Sequence, residues 1–96
     1  MHCLALQQAV ALLDPQAVRR QSTLLTDIGI AHAQQGHIEE ARTFAKQALA
    51  ITTHTRSLSV LERVRLVRRE MEPWKEAEGV KDLEKHLDMT FASITV

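Results

Sequence analysis

Apolar residues recur along this chain at the three- and four-residue steps of an α-helix, in five separate stretches. The pattern predicts helices over residues 2–13, 15–35, 38–51, 56–71 and 80–93. The polar run at residues 52–55 predicts a break after the third helix, and Pro73 predicts the end of the fourth. We expect the last residues, 93–96, to be frayed. The pattern therefore predicts an all-α protein with short connections.

Small residues mark the second and third predicted helices. Gly29 lies inside the apolar stripe of the second helix, where glycine is about 1 kcal/mol less favourable than alanine. A glycine at such a position indicates that another backbone comes close. The remaining stripe residues are Leu24, Leu25, Ile28 and Ala31 in the second helix and Ala41, Ala45 and Ala48 in the third. With Gly36 ending the second helix, this pattern predicts an antiparallel helical hairpin in close contact.

Residues 22–55 resemble one tetratricopeptide repeat, a helix-turn-helix unit of 34 residues. Leu25 stands at the family's tryptophan position, Ile28 and Gly29 at its Leu-Gly pair, and His32 at its tyrosine position. Ala41 and Ala48 match the alanines of the second helix, while Ala45 takes an aromatic position that Phe44 precedes by one residue. The sequence departs from the family at Thr53, which replaces the terminal proline.

This resemblance implies a short array of antiparallel helical hairpins, with about five helices in a single domain over residues 1–96. It also implies a non-catalytic module that presents a groove to a protein or peptide. We expect the contacts to come from the inner helix of the repeat, at Thr23, Asp27, Ile30, Gln34 and Gln35.

The tail, from Arg56 to Leu87, is similar to the C-terminal tetratricopeptide-like regions of bacterial regulators of the Cro/repressor helix-turn-helix class. Those regions oligomerise or receive a ligand, while a separate N-terminal domain binds DNA. The similarity implies an alternative function, namely a sensor or oligomerisation fragment of a transcriptional regulator. Any DNA-binding part would then lie outside these residues.

Lys plus Arg and Asp plus Glu number 12 each, so no global charge favours direct binding of nucleic acid or an anionic membrane. Cys3 is the single cysteine, which excludes an intrachain disulfide and fits the reducing cytoplasm. The chain has no apolar run of membrane-spanning length and no basic start typical of a signal peptide. A cytoplasmic protein is the resulting expectation, and the similarity of the tail to bacterial regulators implies a bacterial one.

Candidate chemistry is sparse. No two of the five histidines have the i,i+4 spacing of a helical metal site, and no phosphate-binding loop is present. Clustered glutamates, such as Glu39 and Glu40, are typical of solvated helix ends. We therefore expect no catalytic residue, no metal and no cofactor. Four arginines of the fourth predicted helix are expected to form ion pairs with Glu62, Glu70 and Glu72. These arginines are Arg63, Arg65, Arg68 and Arg69.

The first predicted helix resembles the uncapped end of a repeat array, whose apolar face needs a neighbour. Its exposed side would be formed by Leu4, Leu6, Val10 and Leu13. These side chains are expected to meet either another chain or a missing upstream repeat. A homo-oligomer, such as a dimer, is the favoured assembly. The alternative is that the five helices close on themselves.

Overall fold

The computed structural model describes residues 15–95, which form four α-helices and no strand. They are α1 (Pro15–Gln34), α2 (Ile38–Thr55), α3 (Leu58–Glu70) and α4 (Glu78–Thr95), with a 3-10 turn at Glu72–Trp74 between α3 and α4. This part of the chain is all-α, as predicted. The first predicted helix, with Leu4, Leu6, Val10 and Leu13, lies outside the described residues, as does Cys3.

The four helices form two layers. α1 packs most extensively on α2, its neighbour in the chain, and also lies beside α3. α2 contacts α3 and lies beside α4. One layer therefore contains α1 and α3 and the other α2 and α4, with the apolar core between them.

A glycine-ended turn joins α1 to α2. Gly36 has a φ of +80°, in the left-handed region that glycine adopts without strain. Its N–H donates to the carbonyl of Ala33 at 3.0 Å, and the N–H of His37 donates to the carbonyl of His32 at 2.8 Å. These two bonds are those of a Schellman motif, so the predicted role of Gly36 as the residue that ends the helix is correct.

The predicted break at residues 52–55 is wrong, because α2 continues through Thr55. The threonine hydroxyls do not disrupt the helix; those of Thr52, Thr53 and Thr55 donate to the carbonyls four residues earlier at 3.0–3.1 Å. The chain turns instead at Arg56, which has a φ of +55°, and at Ser57, whose hydroxyl accepts from the N–H of Val60 at 3.3 Å. Hydrogen-bonded β-branched residues thus extend α2 by one turn.

The predicted apolar stripe of α1 is partly wrong. Leu24 is 60% exposed and Ala31 is also exposed, while Leu25 is buried and Ile28 half-buried. The buried face of α1 is instead formed largely by small and polar residues: Val18, Ser22, Leu25, Thr26, Gly29 and Ala33. Helices in close contact select small side chains on the facing surface, so the most apolar residues of α1 do not all point inward.

The remaining helices bury faces close to those predicted. The fully or nearly fully buried residues are Ala41, Ala45, Ala48 and Leu49 in α2, Val60, Leu61, Val64 and Val67 in α3, and Val80, Leu83 and Leu87 in α4. Phe91 departs from the prediction, since it is 42% exposed and lies under the guanidinium of Arg65, 5.2 Å from the ring centre. The last helix continues to Thr95, two residues past its predicted end at residue 93.

Candidate functional site

The helices approach closely at Gly29 of α1. A Cβ built on Gly29 would lie 3.3 Å from Cγ1 of Val67 and 3.6 Å from the carbonyl oxygen of Ala41. Gly29 therefore faces α2 and α3 at once. The residues predicted for hairpin packing behave accordingly: Leu25, Gly29, Ala41, Ala45 and Ala48 are buried, and Ile28 and His32 are half-buried.

Polar groups join α1 to α3 beside this contact. The Arg63 guanidinium donates to the Thr26 hydroxyl at 2.9 Å and to the Asp27 carboxylate at 2.6 Å. Thr26 is buried, and its own hydroxyl donates to the Ser22 carbonyl at 2.8 Å. Arg63 therefore serves to hold the register between the two helices.

The five residues predicted to contact a partner are only partly grouped. Thr23, Asp27, Ile30 and Gln34 follow one side of α1 at helical spacing, whereas Gln35 lies in the turn. Thr23 and Gln34 are exposed, but Ile30 packs against the core. Asp27 is exposed and already bound to Arg63. This side of α1 is thus mostly polar, and the ion pair between Asp27 and Arg63 joins it to α3.

A different side of α1 is apolar and accessible. Leu24, Ile28 and Ala31 follow one another at four- and three-residue steps. Leu24 has the largest exposed fraction of the big apolar side chains in the described residues. None of the three belongs to the buried core. The hydrophobic pattern did identify these residues, but it placed them inside.

Four aromatic rings gather at the turn between α1 and α2: His32, His37, Phe44 and Trp74. His32 stacks on Phe44, with ring centres 5.6 Å apart and planes 9° from parallel. Nδ1 of His32 lies 3.4 Å from Nδ1 of His37. Trp74, from the 3-10 turn, lies against Gly36, where its Cζ2 is 3.3 Å from the position of a built Cβ. The sequence pattern does not indicate this cluster, because the two histidines are five residues apart and meet only through the turn.

An ion cluster links α2 to α4 on the other layer. Asp82 accepts from Arg42 at 2.9 Å and from Lys46 at 3.1 Å, and His86 lies within 3.3 Å of the same carboxylate. The hydrogen bonds from Lys46 and Arg42 hold the pKa of Asp82 below its usual value. Arg42 also binds Glu39.

Two shallow surface depressions border this cluster, with volumes of about 350 and 200 Å³. The first is lined by Arg42, Thr43, Lys46, Gln47 and Ala50, and the second by Lys46, Leu49, Ala50, Thr53, His86 and Thr90. Both are open, and their cationic side chains are largely engaged by Asp82.

The arginines of α3 follow the predicted pairing in part. Arg68 binds Glu72 at 2.8 Å, as expected, and also Glu84 of α4 at 3.2 Å. Arg65 lies 3.9 Å from Glu62. Glu70, however, forms no ion pair within residues 15–95. These contacts place most of the basic charge of α3 in intramolecular pairs.

Among the described residues no group of three or more His, Cys, Asp or Glu side chains converges in a way that could hold a metal ion. No helix in residues 15–95 has the length and apolar character needed to cross a bilayer. No protein-family model matches the sequence, and comparisons with curated proteins and with solved structures give no significant match.

Proposed function

We propose that this chain is a non-catalytic protein-interaction module of the tetratricopeptide type, and that it self-associates through the outer face of α1. The two-layer arrangement of hairpins supports the proposal, because each layer is built from helices that contact their neighbours side by side. Within the described residues, the outer flank of α1 is an apolar, accessible surface on which another helix can pack.

The observation that carries the proposal is the exposure of Leu24 beside Ile28 and Ala31. These residues form an apolar strip about two turns long, at the spacing that a second helix can pack against. The side of α1 that packs on α2 and α3 consists largely of small residues. The strip lies on another side, so the described helices do not use it to pack on one another. A second copy of the chain offers the same strip, which suits the self-complementary contact of a two-fold dimer.

The proposal predicts a concentration-dependent dimer in light scattering and sedimentation from micromolar to millimolar protein. Leu24→Gln removes the most exposed apolar group and should weaken the dimer about tenfold or more, since burying a leucine contributes about 1.5–3 kcal/mol. Met89→Gln is the matched control, because Met89 is 58% exposed but lies on α4.

A chain that stays monomeric at every concentration would contradict self-association. A dimer that both variants weaken equally would place the contact elsewhere. Circular dichroism of each variant checks that the helices remain intact, which we expect because both side chains are more than half exposed.

A further inference from the structure

We propose that His32 and His37 form a two-imidazole site for a divalent transition-metal ion, with Zn²⁺ as the best-fitting ion. The site lies at the Schellman turn that joins α1 to α2.

The two ring nitrogens form a long hydrogen bond in the metal-free protein, and their separation also suits a shared metal ion. Nδ1 of His32 and Nδ1 of His37 are 3.4 Å apart. An N–H donor in a good protein hydrogen bond lies about 2.7–3.2 Å from its acceptor, so this contact is long for one. Two nitrogens bound to one tetrahedral Zn²⁺ at about 2.0–2.1 Å are about 3.3–3.4 Å apart. Square-planar geometry, which Cu²⁺ prefers, would bring them to about 2.8–3.0 Å.

The backbone at the site is held in place. The N–H of His37 donates to the carbonyl of His32 at 2.8 Å, so the same two residues are joined by main chain and by ring contact. Gly36, between them, adopts the left-handed conformation that makes the turn. A preorganised pair of ligands binds a metal more tightly than two mobile ones, because less freedom is lost on binding.

One of the two rings is also fixed by packing. His32 is half-buried and stacks on Phe44, with planes 9° from parallel, whereas His37 is exposed. The stacked ring sets the position of one ligand, and the exposed ring leaves an open approach from solvent. Because no third His, Cys, Asp or Glu converges here within residues 15–95, water completes the coordination. The affinity should therefore be that of an open site, well below that of a four-ligand structural site.

Zinc titration calorimetry tests the proposal, carried out on the full chain in a His2→Ala, Cys3→Ser background. Those two substitutions are needed because a histidine and a thiol near the amino terminus bind zinc themselves. We expect one Zn²⁺ per chain. His37→Ala removes an exposed side chain whose hydrogen bond and ring contact are with His32, and it should weaken binding at least about tenfold, as should His32→Gln.

His54→Ala is the matched control, because His54 is exposed in the last turn of α2 and should leave binding unchanged. Co²⁺ provides a second readout. It adopts tetrahedral geometry with visible absorption, and it should quench the emission of Trp74, the single tryptophan, which lies against Gly36.

Absence of saturable zinc binding in the parent protein would overturn the proposal. So would binding that survives His37→Ala and His32→Gln, or that His54→Ala reduces equally. The self-association proposed above is tested separately by Leu24→Gln, so failure of one proposal is distinguishable from failure of the other.

Discussion

Val67 fills the space that a side chain on Gly29 would need. A Cβ built on Gly29 would lie 3.3 Å from Cγ1 and 3.5 Å from Cγ2 of Val67. Val67 is fully buried, so its methyl groups have little room to yield. The close contact of α1 with α3 thus depends on the absence of a side chain at one position.

Substitution of Gly29 tests this contact. Gly29→Ala adds about 1 kcal/mol of helix propensity but crowds Val67, so we expect a net change within about 1 kcal/mol. Gly29→Leu should lower the free energy of unfolding by about 2–3 kcal/mol, measured by urea denaturation.

The control for this prediction is the same alanine change in a Val67→Ala background. With the methyl groups removed, Gly29→Ala should become more favourable than in the parent, which gives a measurable coupling between the two sites. Equal effects in both backgrounds would show that the two residues are not in contact.

Gly36→Ala should lower the free energy of unfolding by about 1–2 kcal/mol, because a Cβ is unfavourable at a φ of +80°. The added methyl also meets the Trp74 ring at 3.3 Å. Gly36→Asn should lower the free energy of unfolding less than the size of its side chain would indicate, since asparagine tolerates the left-handed conformation. Unfolding followed by circular dichroism is the measurement, and alanine and asparagine variants as stable as the parent would contradict the turn geometry.

Arg56 ends α2 in a left-handed conformation that a non-glycine residue rarely adopts. Arg56→Gly relieves that strain, while Arg56→Ala retains it, and both lose the hydrogen bond to the Ser93 carbonyl. The glycine variant should therefore be more stable than the alanine variant by about 1 kcal/mol in thermal or urea unfolding. The reverse order would rule out the left-handed cap.

Asp82 should make stability depend on pH in the acid range. The pKa of Asp82 is lowered in the folded state by Lys46 and Arg42, so its contribution is present above the unfolded pKa, near 3.8, and is lost as pH falls through the lower folded value. Asp82→Asn should thus be less stable than the parent at neutral pH, and the difference should vanish in strong acid.

Asp88→Asn serves as the control for Asp82→Asn, because Asp88 is exposed on the same helix and forms no ion pair within the described residues. Urea unfolding at a series of pH values measures both. A difference between parent and Asp82→Asn that stays constant from neutral pH to pH 2 would contradict the proposed ion cluster.

The helical class and most helix positions could be predicted from the period of apolar residues. The inner face of α1 could not, because hydrophobicity does not indicate which residues a close neighbour selects. Ser22 and Thr26 are buried there, whereas Leu24 is exposed. The importance of Gly29 was predictable, since a glycine within a helical stripe needs a packing reason, but its contact with Val67 required the structure.

The candidate sites, like the fold, include residues that the sequence pattern could not bring together. A rule of i,i+4 spacing applies to ligands on one continuous helix, and it therefore missed His32 and His37, which meet across a turn. The polar residues after Ile51 predict a break, but a threonine hydroxyl that donates to the carbonyl four residues earlier is compatible with a helix. Asp82 gave no sequence signal, because its partners lie some 40 and 36 residues away.

The ring of Trp74 on Gly36 connects the turn of the first hairpin to the link between α3 and α4. In a simple linear array each hairpin can open without its neighbour. Here, opening of the hairpin formed by α3 and α4 would also expose the turn between α1 and α2. Partial opening therefore costs contacts in both hairpins. We therefore expect the amide protons of all four helices to exchange with solvent in a single cooperative opening, because the contact of Trp74 with Gly36 joins the two hairpins.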